Sequence, residues 1–219
     1  MYDIMTPGPT QVRENVRQAR ALACTNPDLD ADFYDFYKET CELISRLLHT
    51  GNETLILGGE GILGLEAACA SLTEPGDPVL VLDNGVYGRG FADFVSMYGG
   101  KPVLYSVDEK NPIDPAALEE YLKEHHDYKY ATLVHCDTPS GMLNDISALC
   151  PLLKKYRILT VVDSVSGMFG EDVRVDDFQI DLLCGGSQKA VSAPPGLTFV
   201  TVSDAAWAAI DGRNVPIAS

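Results

Sequence analysis

The sequence predicts an α/β fold: a three-layer sandwich in which helices cover both faces of a mostly parallel sheet of about seven strands. Three observations carry this. Short runs rich in Val, Leu and Ile recur along the chain, at 54–57, 79–83, 102–106, 130–136, 159–163, 182–184 and 197–202. Segments with apolar residues at helical spacing separate most of them, the alternation that buries a parallel sheet on both sides. The chain, 219 residues with 46% hydrophobic side chains, is also long enough to bury one sizeable core.

Taken in order, residues 1–20 are expected to form an extended N-terminal arm, because Thr6-Pro7-Gly8-Pro9-Thr10 excludes regular structure. Residues 21–219 form one domain, without internal repeat, low-complexity tract or linker. Apolar residues from Phe33 through Tyr37, Cys41 and Ile44 to Leu48 predict an amphipathic helix over 33–49. Further helices are predicted over 61–72, ending before Pro75-Gly76; over 86–98, ending at Gly99-Gly100; and over 115–125, with Pro115 in the favoured first turn. A last helical segment, 146–156, contains Pro151, which argues against an unbroken helix there.

Charge and composition exclude several roles. A formal net charge of -16 is unsuited to nucleic acid, whose phosphates need clustered Lys and Arg. No run is apolar enough to span a membrane, and Met1-Tyr2-Asp3 lacks the basic and apolar regions of a signal peptide, so a cytoplasmic enzyme is expected. Cys24, Cys41, Cys69, Cys136, Cys150 and Cys184 form no Cys-x-x-Cys pair and mostly sit among apolar residues. They read as buried reduced thiols. His49, His125, His126 and His135 lie at element ends and suggest no metal site.

Two residues carry chemistry. Lys189 follows the apolar run 180–184, and Asp163 ends the run 158–162. A lysine amine in apolar surroundings becomes a usable nucleophile toward carbonyls. A lysine for an aldehyde and an aspartate for a pyridinium nitrogen are what pyridoxal 5'-phosphate requires. A competing signal lies in Gly59-Glu60-Gly61-Ile62-Leu63-Gly64, which satisfies the three-glycine dinucleotide pattern, with Asp83 at about the required ~20 residues. An NAD-binding Rossmann domain has no use for Asp163 or Lys189, whereas the pyridoxal phosphate reading uses all three places.

Val162-Asp163-Ser164-Val165-Ser166, Gly186-Ser187-Gln188-Lys189-Ala190 and Ala193-Pro194-Pro195-Gly196 together resemble the class V aminotransferases, above all the alanine–glyoxylate and serine–pyruvate enzymes. The likeness runs from Thr6 to about Ile210. It implies the fold type I large domain and pyridoxal phosphate as cofactor. By resemblance, Lys189 forms the Schiff base and then moves a proton, and Asp163 holds the ring nitrogen protonated. Tyr87 and Val165 pack the ring faces, and Thr138 contacts the ring or its hydroxyl. Gln188, Gly61 and the neighbouring Glu60 and Ile62 face the phosphate. The resemblance further implies small amino acid and 2-oxo acid substrates and a homodimer.

Three departures stand out. Pro139 replaces a more usual small polar residue. Glu60 and Ile62 occupy places where the family has small or polar residues, and a carboxylate there repels a phosphate unless its side chain turns away. The resembled enzymes also continue into a small C-terminal domain bearing an arginine that grips the substrate carboxylate, and no arginine here matches it. The expectation is therefore a large domain alone. From the sequence, four readings stay open: an aminotransferase, impaired by truncation; a non-catalytic cofactor-binding or oligomerising fragment; an aminophosphonate transaminase or related lyase; and a dinucleotide-binding domain.

Overall fold

A computed structural model describes residues 3–23 and 26–213; Cys24 and the ends of the chain lie outside them. Within these residues the chain runs α1 (Glu14–Arg20), α2 (Ala31–Leu47), β1 (Glu53–Gly58), α3 (Gly61–Leu72), β2 (Pro78–Asp83), α4 (Val86–Met97), β3 (Lys101–Ser106) and α5 (Pro115–Glu124). It continues with β4 (Tyr130–Val134), β5 (Cys136–Asp137), β6 (Met142–Leu143), α6 (Ile146–Lys155), β7 (Leu159–Asp163), β8 (Leu182–Gly186), β9 (Leu197–Val202) and α7 (Asp204–Asp211).

Seven strands form one sheet in the order β1-β9-β8-β7-β4-β2-β3. The pairings from β8 across to β3 are parallel, whereas β9 is antiparallel to both β8 and β1. The core follows from the period of two along each strand. Leu80, Leu82, Leu133, Val162 and Leu183 point to one face, against α5 and α6. Val79, Val81, Val134, Val161 and Leu182 point to the other, against α3 and α4. Both faces are thus buried, which accounts for the near-continuous apolar runs.

The structure corrects the expected layout in four places. The arm is irregular only to Arg13, since Glu14–Arg20 is helical, held by Glu14 contacts to Arg17 and Gln18 with no buried residue. The helix over Ile146–Lys155 runs unbroken through Pro151, because Ile146, Leu149, Cys150 and Leu153 all bury against the sheet and outweigh one lost backbone bond. The run 130–136 stops at Val134, and Cys136–Asp137 pairs instead with Met142–Leu143 in a small antiparallel ribbon. Finally, Cys136 is only half-buried, whereas Cys41, Cys69, Cys150 and Cys184 are buried as expected.

A single buried carboxylate ties β7, β8, α6 and α7 together. Asp181 accepts from Lys154 Nζ at 2.7 Å, from Ser203 Oγ at 3.0 Å and from the Thr160 N–H at 3.0 Å. Ser203 in turn caps α7 by accepting from the Ala206 N–H. Removing the carboxylate leaves an ammonium and two polar groups without their acceptor. Asp181→Ala should therefore lower the unfolding free energy by about 3–5 kcal/mol, read by urea denaturation. A loss below about 1 kcal/mol would show that Asp181 is no structural hub.

Candidate active site

Parallel pairing aligns the C-terminal ends of β4, β7 and β8, with Val134 opposite Asp163 and Asp163 opposite Cys184. Asp163 therefore emerges between the two loops that follow its neighbours. The loop after β8 is closed by its own hydrogen bonds. Ser187 Oγ donates to the Pro194 carbonyl at 2.7 Å, and the Ser187 carbonyl accepts from the Ala193 N–H at 3.0 Å. This turn presents Gln188 and Lys189. The antiparallel β1–β9 pair then brings the start of α3 alongside, where the Gly59 N–H donates to the Gly196 carbonyl at 2.8 Å.

These elements enclose a cleft of about 190 Å³ that contains both Asp163 and Lys189. Asp163 is 5% exposed, and its Oδ1 accepts the Val165 N–H at 2.9 Å. Burial pushes its carboxyl up to about 6 against the pull of that N–H. Lys189 Nζ donates to Thr138 Oγ1 at 3.4 Å, and Thr138 also bonds Ser166. The turn 163–167 is pinned from behind. The His135 N–H donates to the Asp163 carbonyl at 2.8 Å, and His135 Nδ1 lies 3.0 Å from Ser164 Oγ. Burial lowers the pKa of His135, against the pull of Glu171 and Asp145.

Of the residues singled out from sequence, Glu60, Ile62, Tyr87, Thr138, Asp163, Val165, Gln188 and Lys189 all line this cleft. Gly61 stands between two of them. A side chain there would meet Val165 Cγ2 at 2.4 Å, so its lack of Cβ lets α3 approach the site. Gln188 Oε1 is buried without a hydrogen-bond partner, an atom that a bound molecule is placed to satisfy. Gly8 and Pro9 also line the cleft, as the resemblance implies for the N-terminal arm near an active site; Leu65, Cys136 and Ser166 line it too and were given no role from sequence. Ser166 lay within a quoted motif. Asp137 was missed as well: its two oxygens accept from the Tyr87 N–H at 3.3 Å and from Ser140 Oγ at 2.7 Å, joining the start of α4 to the Thr138 loop.

The dinucleotide alternative loses its parts to ordinary packing. A Cβ on Gly64 would meet Thr198 Oγ1 at 2.4 Å, so this glycine serves close contact of α3 with β9. Asp83, the residue needed for a ribose, is 4% exposed and already accepts from Arg89 Nη2 at 2.8 Å and Ser106 Oγ at 2.9 Å.

The family model Aminotransferase class-V matches residues 9–212. The pyridoxamine–pyruvate transaminase of Mesorhizobium japonicum is 38% identical over 181 residues, covering 83% of this chain and 46% of that protein. The crystal structure of pyridoxamine–pyruvate aminotransferase from Mesorhizobium loti aligns with a TM-score of 0.94 and 34% identity, over 100% of this chain and 56% of that one. An alanine–glyoxylate aminotransferase from Nostoc sp. gives 0.93 and 27%, over 97% and 56%. The chain spans about half the length of the relatives it matches.

The raised carboxyl of Asp163 sets a pH signature for the protein without ligand. A carboxyl raised on folding contributes its stability below the unfolded pKa of about 4, and loses it as pH rises through about 6. Asp163→Asn should therefore be more stable than the wild type at pH 7.5, by roughly 1–3 kcal/mol. The gap should close as pH falls from 6 to 4 in a urea-denaturation series. A gap independent of pH would contradict the assignment of the cost to ionisation.

Proposed function

The chain belongs to the class-V aminotransferases, and from that membership we propose that its cleft serves transfer of an amino group from a small amino acid to a 2-oxo acid. Alanine or serine is the proposed donor, and pyruvate or glyoxylate the proposed acceptor. The family depends on pyridoxal 5'-phosphate, which supplies, when bound, an aldehyde to carry the amino group and a ring that withdraws electrons from the reacting carbon. One observation carries the reading: a buried carboxylate and a lysine amine share one cleft, at the ends of adjacent parallel strands.

The residues fit that ring. Asp163 is a buried carboxylate with no cation bonded to it among the described residues, and a protonated pyridine nitrogen would hold it ionised at neutral pH. Lys189 is the amine placed to engage the aldehyde and then to move the proton at the substrate α-carbon. Thr138, which accepts from Lys189 and bonds Ser166, orients that amine. Tyr87 and Val165 supply walls that exclude water. Against a lyase reading that needs a thiolate, burial, and after it Asp137, push the Cys136 thiol pKa up. Assembly as a homodimer belongs to the same proposal: Phe36, Leu43 and Leu47 of α2 are exposed, apolar surface of the kind that subunits cover.

Glu60 favours a second reading of the donor. It precedes α3, makes no capping hydrogen bond and lines the cleft beside Ile62, where the resemblance puts the phosphate. A carboxylate there opposes a phosphate dianion and tolerates a hydroxymethyl group. This supports a pyridine amine without phosphate, such as the pyridoxamine named for the Mesorhizobium relative, as the amino donor.

Two measurements test these readings. Borohydride reduction of the protein with bound pyridoxal phosphate, followed by peptide mapping, should place the pyridoxyl label on Lys189; a label on another lysine overturns the proposal. Glu60→Gln should tighten pyridoxal phosphate binding about tenfold (~1.4 kcal/mol) while changing pyridoxamine binding little. Equal phosphate-ester affinity in the two proteins would retire the second reading.

A further inference from the structure

By resemblance the arm Thr6-Pro7-Gly8-Pro9-Thr10 lies near an active site, and Gly8 and Pro9 do line the cleft, but none of its residues has yet been given a task. It lies at the far end of the chain from Lys189, yet three contacts join them. The Thr10 N–H donates to the Gln188 carbonyl at 2.8 Å. Thr10 Oγ1 donates to the Lys189 carbonyl at 2.7 Å, with a weaker approach of 3.3 Å to the Gln188 carbonyl. Gly8 lies directly against the lysine side chain: a Cβ built on it would stand 2.4 Å from Lys189 Nζ, 2.5 Å from Cδ and 2.6 Å from Cε. The Lys189 carbonyl also accepts the Ser192 N–H at 2.9 Å, so the lysine backbone is held from inside its own turn and from the arm.

Each contact has a positional consequence. The turn 187–196 fixes only the local path of the backbone, whereas the Thr10 bonds tie that path to a second segment. With the backbone held on both sides, the remaining freedom of Lys189 lies in its long side chain, and the Gly8 main chain blocks one side of it. The amine is left directed at Thr138, 3.4 Å away across the cleft. A Cβ at this approach would meet only the far end of the lysine side chain and no backbone atom, so a larger residue at position 8 would displace the amine and leave the fold in place.

We propose that Gly8 and Thr10 form a strap that positions Lys189, with Thr10 clamping the lysine backbone and Gly8 confining its side chain to the cleft. Thr10 and Gly8 are positioning residues that act through Lys189. The proposal rests on the reading of Lys189 as the reactive lysine.

The test uses the full ligand-free chain and two amine probes, resolved lysine by lysine by peptide mapping. Acetic anhydride reports exposure of each amine, and pyridoxal with borohydride reports an amine directed into the cleft. Thr10→Val should raise acylation of Lys189 about threefold or more while lowering its pyridoxal labelling at least threefold, and Thr10→Ser should restore both. Gly8→Ala, which keeps the Thr10 bonds, should lower pyridoxal labelling of Lys189 at least tenfold with the unfolding midpoint unchanged. Opposite movement of the two probes is the signature of positioning. Rates that move together, or do not move in either variant, would overturn the strap. Wild-type pyridoxal labelling that prefers another lysine would instead overturn the reading of Lys189 itself, a result distinct from the first.

Discussion

The register of three parallel strands is the constraint on which the site depends. Val134 and Asp163, at the ends of β4 and β7, lie side by side with Cys184 of β8, two residues before that strand's end. A shift of one residue in β7 would turn Asp163 to the other face of the sheet. That register is itself fixed by burial, since the alternating residues of these strands fill separate cores above and below. Ligand sites in open parallel sheets lie beyond the carboxyl ends of strands for the same reason: the loops there diverge while the strands hold their origins together.

Two buried aspartates show how stability and chemistry are divided. Asp181 is held by an ammonium, a hydroxyl and a backbone N–H, so its charge is matched. Asp163, one strand end away, accepts a hydrogen bond from the Val165 N–H and has a carboxyl pushed up to about 6. An imperfectly matched buried charge costs stability, and its place in a cleft is what marks it as poised for a ligand. The unpartnered Gln188 Oε1 on the neighbouring loop has the same character. Folding energy from the two cores sustains both.

Much of this was legible in the sequence, because the strands and main helices carry strong periodic patterns. The run at 197–202 and the helix at 61–72 coincide with the observed elements. What escaped notice lacks such a pattern. The helix Glu14–Arg20 buries nothing, so no apolar stripe announces it. Pro151 misled because local propensity yielded to a buried face. The cleft residues named from Asp163 to Lys189 belong to contiguous motifs. The contact of Gly8 and Thr10 with Lys189 joins residues about 180 apart, which no local window reveals. Asp137 was likewise invisible, since its role arises only when α4 folds back beside the β5–β6 ribbon.

The central claim is that one buried carboxylate and one lysine address the same ring. The direct test is an absorbance titration of the chain with pyridoxal 5'-phosphate, alongside Lys189→Ala and Asp163→Asn. The account predicts a saturable visible band shifted from that of the free aldehyde, absent in Lys189→Ala and altered in its pH dependence in Asp163→Asn. The same band in Lys189→Ala, or a pH dependence unmoved by Asp163→Asn, would contradict it.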